Sequence, residues 1–225
     1  MEVIYEDNHV LVLIKPYNVP SQADSSKDLD LLTMAKKYLI EKYHKPGDAY
    51  VGLVSRLDRP AGGLIVLAKT SKAAQRLTLS FARHEITKIY LAVVQNNDLN
   101  KEGFFTDYLL KDPKTNTVKA YQKEVKGSKL AKLDYTILES KDDLSLVKIN
   151  LHTGRPHQIR VQFASRGHYL YGDQRYNPKA HPGQQLALWS SYLSFTHPVT
   201  KELLEFTSLP DTGIFKTFTY LKNPS

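Results

Sequence analysis

Two short segments concentrate the residues able to do chemistry. The first reads Val54-Ser55-Arg56-Leu57-Asp58-Arg59-Pro60-Ala61-Gly62-Gly63-Leu64. One carboxylate sits between two arginines in a glycine-bearing loop between two apolar stretches. Cations within reach keep a carboxylate ionised and can lower its pKa by ~1–3 units. An ionised, positioned aspartate serves as a nucleophile or a general base. Gly62 and Gly63 permit turns and close approach of the backbone to a ligand. Taken alone, the same R-x-D-R pattern also fits a structural ion pair at a strand end.

The second segment is Leu151-His152-Thr153-Gly154-Arg155-Pro156-His157-Gln158-Ile159-Arg160. A glycine turn opening a helix offers free N–H groups to an anion, and Arg155 and Arg160 add charge. His157 lies three residues before Arg160, on a neighbouring helical face. Ile159 and Phe163 are expected to face the core while Arg160 points elsewhere. An ordinary basic helix start is the plainer reading of this stretch by itself. Other chemistries find little footing. His152 and His157 are five apart, not the i, i+4 spacing of a helical zinc pair, and no phosphate-binding or dinucleotide glycine motif is present. Ser55 and Ser165 lack a nucleophile-elbow context. What remains is a lone carboxylate with arginines, and neither metal nor cofactor is expected.

The elements around these segments are mostly strands. Ile4–Glu6 and His9–Lys15 flank the turn pair Asp7-Asn8 and read as a hairpin. Asp28 is placed to cap a helix through about Lys42, with Leu31, Ala35, Tyr38 and Leu39 on one face. Tyr50–Val54 and Gly63–Lys69 read as strands around the first loop. Thr70-Ser71 caps a helix to about Arg83 with Ala74, Leu77 and Phe81 inward, and Ile86–Val94 returns as a strand. A meander follows: Gly103–Leu110, Val118–Glu124, Leu130–Ser140 and Leu144–Leu151. The second segment then leads into a helix with Pro156 in its first turn and Gly167 as C-cap. After the Tyr171–Gly183 loop comes a hairpin, Leu186–Thr196 and Lys201–Phe206, and residues after Pro210 are expected to be loosely held. Strands joined by short turns indicate an α+β fold with an antiparallel-rich mixed sheet.

Composition narrows the classes. Hydrophobic residues are 41 % and charged residues 24 % of 225, enough apolar side chain for a sizeable core. No stretch approaches the ~20 apolar residues of a membrane span, and no membrane partner is expected. The acidic start, MEVIYEDNHV, is unlike a secretory signal. Cysteine is absent, which removes disulfides, zinc–thiolate sites and thiol nucleophiles and fits a cytoplasmic protein. Thirty-one Lys and Arg against 23 Asp and Glu give a net charge of +8. Such a charge favours a polyanion partner, with nucleic acid foremost.

Arg56-Leu57-Asp58-Arg59 followed by Gly63-Leu64 and Ala68-Lys69-Thr70 resembles the catalytic-loop motif of the RluA family of RNA pseudouridine synthases. Lys88-Ile89-Tyr90-Leu91-Ala92 is similar to that family's K-x-Y strand, and Thr153–Arg160 to its third motif. Gly172-Asp173-x-x-Tyr176 and Leu193-x-Phe195-x-His197-Pro198 resemble its closing segments. The match runs in order from about Ile4 to Pro210. The resemblance implies the pseudouridine synthase fold, two half-domains of a mixed sheet flanking a basic cleft. It implies Asp58 as catalytic carboxylate, Tyr90 as the ring lining the base pocket and Arg160 as partner of the aspartate. Arg56, Arg59, Lys88, Arg155 and His157 are the expected substrate-binding residues. The substrate implied is a uridine in ribosomal or transfer RNA, and the protein is expected to be a monomer. Ser55 stands where the family often has His, and Ala61-Gly62 where it often has Thr-Ser. The chain opens on what resembles the first strand of the catalytic domain, so residues 1–225 are expected to form a single catalytic domain without an N-terminal RNA-binding module. Two rivals stand beside this reading: a non-catalytic RNA-binding protein or chaperone on the same fold, and a base-releasing hydrolase. The second usually needs two carboxylates.

Overall fold

The computed structural model describes residues 1–95 and 98–222. Within them are three α-helices and twelve strands, and every strand pairing given below is antiparallel. The chain divides into two compact units, Met1–Thr87 with Tyr192–Ser208, and Lys88–Ser191 with Leu209–Ser225.

The first unit is built on β2 (Val10–Lys15), whose six residues are all buried. An apolar run of this length suits a strand covered on both faces. It pairs with β1 (Glu2–Glu6) across a turn that Asp7 closes by accepting from His9 N and Val10 N, each at 2.7 Å. On its other side lies β4 (Gly62–Ala68), in register from Val10 opposite Ala68 to Lys15 opposite Gly63. The strand expected over Tyr50–Val54 is only β3 (Gly52–Leu53), which joins β4. Helix α1 (Leu31–Tyr43) is capped by Asp30, which accepts from Thr33 N at 3.2 Å. The expected cap, Asp28, is drawn off by Arg59. Helix α2 (Ser71–Ala82) starts at Thr70 as expected, with its hydroxyl accepting from Ala73 N. Its buried stripe is Ala73 and Leu77, one residue round from the expected Ala74.

The second unit is a sheet in the order β5 (Thr87–Gln95), β9 (Leu144–Leu151), β8 (Lys129–Lys141), β6 (Glu102–Asp112) and β7 (Thr117–Tyr121). The four strands form where read, but not as a meander: β8 pairs with β6 and leaves β7 on the outer side, and β7 ends at Tyr121 instead of Glu124. Opposed residues share a face, so Tyr90, Ile149 and Tyr135 lie on one side. On that side packs α3 (Gln158–Ala164): Phe163 meets Phe105 at 5.0 Å and Tyr135 at 5.4 Å between ring centroids. The helix starts two residues after Pro156, not around it. His157 caps it with φ 53°, so His157 is not on a helical face. Gly167, φ 82°, lies past the end of α3, whose cap is Ser165. A two-residue strand, β10 (Tyr169–Leu170), pairs with β5.

The closing hairpin is β11 (Leu188–Thr196) with β12 (Leu203–Thr207), and within it Tyr192 opposes Thr207. Its turn is organised by His197 Nδ1, which accepts from Val199 N and Thr200 N. Through Lys222 the tail is not loosely held. Residues Gly213–Thr217 form a 3₁₀ turn, Phe215 and Phe218 are buried, and Glu139 accepts from the Thr219 hydroxyl and Tyr220 N. Two apolar rings outweigh a polar, proline-bearing approach.

Candidate active site

Asp58 sits on the loop between β3 and β4, and that loop is anchored from below. Leu57 is buried, and both its backbone groups are held by Ser21: the hydroxyl accepts from Leu57 N at 3.2 Å and donates to Leu57 O at 2.9 Å. Ala61 N donates to Asp58 O at 3.0 Å, closing a turn. The strand β4 that follows opens on Gly62-Gly63, and the φ of 108° at Gly63 is disfavoured for residues with a Cβ. Between exposed Arg56 and half-buried Asp58, Leu57 points inward. Arg56 has no hydrogen-bond or ion-pair partner among the described residues. The guanidinium of Arg59 is committed locally: it bonds Asp28 and Ser26, and Asp24 lies 3.7 Å away.

Lys15 is a part of this site that sequence reading missed. Its side chain is fully buried, and its Nζ donates to the carbonyls of Pro16, Val19 and Arg59 at 2.9, 2.8 and 3.1 Å. Burial pushes the ammonium down to about 7, with Asp58 opposing that shift and Arg59 adding to it. The available signal was a lysine closing the otherwise apolar run Val10–Ile14, where a buried position leaves a charge needing partners.

The other predicted residues lie in the second unit. Lys88 and Tyr90 are two apart on β5 and so share the face that α3 covers. Tyr90 is buried. Burial and the neighbouring Arg155 guanidinium push the Lys88 ammonium down to about 8. Gly154 is close by, since a Cβ there would stand 3.5 Å from Lys88 Nζ. Gln158 locks the Thr153–Arg155 turn: its Oε1 accepts from Thr153 Oγ1 and Arg155 N, and its Nε2 donates to Lys132 O. The Arg155 N–H is therefore used internally, and α3 has only seven residues. The expected anion site at a helix start is not formed. Arg155 Nε donates to Leu130 O at 2.9 Å.

Arg160 was expected to point away from the core, yet it is buried. Asp173 makes that possible. Its carboxylate accepts from Arg160 Nε at 2.8 Å and Nη2 at 2.7 Å, a two-pronged pair in which both side chains are enclosed. Asp173 also accepts from the backbone N of Arg175 and Tyr176. It is delivered by Gly172, with φ 73°, where a Cβ would collide with Gln185 O, so no larger residue fits. The Tyr176 ring faces Arg160 at 5.2 Å, and its hydroxyl meets His157 Nδ1 at 2.7 Å while accepting from Val118 N. Asp173 and Tyr176 were legible only as parts of a motif, without their roles.

The structure thus places Arg56, Asp58 and Arg59 on one loop, and Lys88 with Arg155 and His157 with Arg160 around α3. Among the described residues no group of three His, Cys, Asp or Glu stands ready for a metal. No helix is long and apolar enough to cross a membrane.

Comparison with known proteins agrees with these features. Residues 9–165 match a family model described as RNA pseudouridylate synthase. The chain is 32 % identical over 217 residues to the ribosomal large subunit pseudouridine synthase D of Zymomonas mobilis, covering 92 % of this chain and 68 % of that protein. It is equally similar, 32 % over 210 residues, to an uncharacterised RNA pseudouridine synthase of Bacillus subtilis, covering 92 % and 71 %. In fold it is similar to the human RNA pseudouridylate synthase domain containing 4, with TM-score 0.78 and 19 % identity over 93 % of this chain and 89 % of that one.

Proposed function

The chain belongs to the RNA pseudouridylate synthase family, and we propose that it isomerises specific uridines of a structured ribosomal or transfer RNA with Asp58 as catalytic carboxylate. The family match spans Asp58, Tyr90 and Arg160. The observation that carries the reading is the loop itself. A backbone anchored through Leu57 holds Asp58 half-buried beside an exposed Arg56. A structural ion pair would not need that presentation.

The reaction breaks the bond from C1′ to N1 of uracil, turns the base, and joins C5 to C1′. The C5 proton is lost and N1 gains one, so the sum is an isomerisation. Asp58 serves either by attacking C1′ or by taking the 2′-proton, and neither route requires a redox or metal centre. Tyr90 stacks on the uracil through its turn or helps remove the C5 proton. Arg160, held by Asp173, supplies the guanidinium that the family resemblance implies for the reaction. Lys88, Arg155 and His157 contact the RNA backbone near the target, and Arg59 contributes when its local ion pairs open. A uridine inside a helix is out of reach, so it is flipped at a cost of roughly a few kcal/mol. Arg56 enters the gap and stacks on the neighbouring bases. Residues 1–225 act as one catalytic domain. The name of the Zymomonas mobilis relative makes large-subunit ribosomal RNA the first substrate to try.

The test is Asp58→Asn, which should abolish pseudouridine formation and leave RNA affinity within a few-fold. Appreciable turnover by this variant removes Asp58 from the chemistry. Mapping pseudouridines in RNA from cells lacking the gene identifies the target. Unchanged maps would favour the non-catalytic RNA-binding alternative.

A further inference from the structure

We propose that the basic edge formed by the end of β6, β7 and the loop after it, residues 111–129, is a second RNA-contacting surface, which takes the phosphate backbone flanking the target uridine. It rests on RNA being the substrate, and not on the role of Asp58. Six lysines lie in this stretch, Lys111, Lys114, Lys119, Lys123, Lys126 and Lys129, against Asp112 and Glu124. That net of +4 is half of the chain's +8, carried by 19 of its 225 residues. All six lysines are exposed. None of them makes a side-chain hydrogen bond or an ion pair among the described residues. Asp112 is committed to its own turn, accepting from Lys114 N at 2.8 Å and from the Thr115 hydroxyl at 2.9 Å. The first unit treats its surface lysines differently: Lys36 pairs with Asp48, Lys37 with Glu41 and Lys42 with Glu6.

Lysines on an edge strand have a plainer use, since they discourage pairing with another chain. β7 is the edge of its sheet, but only Lys119 lies within it. Lys111 and Lys129 are on the paired strands β6 and β8, and Lys114, Lys123 and Lys126 are in the turn and loop at the two ends of β7. Edge protection therefore accounts for one lysine of six. Unpaired ammonium groups gathered on one edge repel one another until a polyanion neutralises them. Lysine meets phosphate as a point charge. Nor does the hairpin hang free. Arg175 Nη1 donates to Thr115 O at 3.2 Å and Asn116 O at 2.6 Å, and the Tyr176 hydroxyl accepts from Val118 N at 2.9 Å. Asp173, two residues before Arg175, holds Arg160, and Tyr176 meets His157. At the other end of the edge, Arg155 Nε donates to Leu130 O, next to Lys129. The edge is thus fastened to the segments that bear Arg155, His157 and Arg160, all within the second unit. RNA bound on the edge is held in register with those three residues.

The experiment combines Lys119→Gln, Lys123→Gln and Lys126→Gln and follows binding to a large-subunit ribosomal RNA transcript across a salt series. Each phosphate contact contributes ~0.7–0.9 to the slope of log affinity against log salt. Losing three should flatten that slope by about 2–3 and weaken binding by about 100-fold near 0.1 M salt. Turnover at saturating transcript and melting temperature should not move, because these side chains make no bond within the described protein. Lys119→Arg, Lys123→Arg and Lys126→Arg together keep the charge and should keep wild-type affinity. A control with Lys37→Gln, Lys45→Gln and Lys72→Gln removes the same charge from exposed positions of the first unit and should leave the slope near wild type. Equal losses in the control would make the effect one of net charge and overturn the proposal. An unchanged slope in the edge variant would overturn it too, and would leave the edge to a protein partner or a second copy of the chain. If Asp58→Asn keeps turnover while the edge variant loses affinity, the catalytic reading of Asp58 fails and the surface stands. If Asp58→Asn is dead and the slope is unmoved, the surface alone fails. Wild-type protein that binds no RNA would fail the substrate reading itself.

Discussion

Asp173→Asn is the most informative change, because Arg160 depends on Asp173 for burial. Both partners are enclosed, and two short bonds join them. The asparagine amide would be close to the same shape as the carboxylate and would keep the Oδ1 acceptor for the Arg175 and Tyr176 amides. What it lacks is the negative charge and the Oδ2 acceptor, so that an NH2 donor would face Arg160 Nε. Breaking a buried ion pair by removing one charge typically costs ~3–5 kcal/mol, because the other is left uncompensated. For a chain of this size, about 2–4 °C of melting temperature follows each kcal/mol, so a fall of roughly 6–20 °C is expected by calorimetry. Adding Arg160→Met removes the stranded guanidinium. The double variant then suffers chiefly an unpaired amide, roughly 1–3 kcal/mol, and should recover much of the lost melting temperature. Its pseudouridine formation should stay far below wild type, because Arg160 is gone. Stability and activity would thus part company in the double variant. A fall under about 3 °C for Asp173→Asn, or a double variant no more stable than the single, refutes the argument from the buried pair. A double variant with wild-type turnover refutes the role of Arg160.

Glu6 should make the fold acid-sensitive. Burial opposes its charge, but hydrogen bonds from Lys42, Lys69, Tyr43 and Tyr38 prevail and bring it down to about 2. A folded value below the unfolded one gives stability that is present above pH 4.5 and lost as pH falls towards 2. Denaturant titrations should show a loss on the order of 3 kcal/mol across that window, absent in Glu6→Gln. Arg56→Ala, at an exposed position, should leave stability within about 0.5 kcal/mol. Its activity should fall most on folded RNA and least on a short unpaired oligonucleotide, where little unstacking is needed. Equal loss on both RNAs, with a clear drop in melting temperature, would assign Arg56 a structural role. The net charge of +8 predicts steep salt dependence: neutralising ~6–10 phosphates lowers affinity by ~10³–10⁵ between about 50 and 200 mM salt. A flat response, measured by filter binding, would contradict phosphate tracking.

Local patterns were read well from the sequence where local physics decides. Thr70 caps α2 by its own hydroxyl, β9 begins and ends at Leu144 and Leu151, and the loop around Asp58 lies between strands as expected. Less was legible where a distant partner decides. Arg160 reads as an outward charge until Asp173, thirteen residues on, is known to meet it. Lys15 reads as the polar end of a strand until Arg59 O arrives across the unit. Asp28 is as good a cap as Asp30 on local grounds, and only the pull of Arg59 separates them. The helix start after Pro156 was misplaced because His157 takes a left-handed conformation, uncommon outside glycine.

The division of the chain has a consequence for how the protein is made. The first unit takes its second segment from Tyr192–Ser208, and the second unit is completed by residues after Leu209. During synthesis on the ribosome, neither unit is complete until nearly the whole polypeptide has emerged. The β2 core and the β6–β9 strands can form as they appear, but β12 reaches its partner β11 late, and Phe215 and Phe218 later still. Apolar edges stay uncovered meanwhile and invite association with other chains. A nascent chain stalled before Leu203 should therefore engage chaperones, and release should be followed by a final, concerted closing of both units.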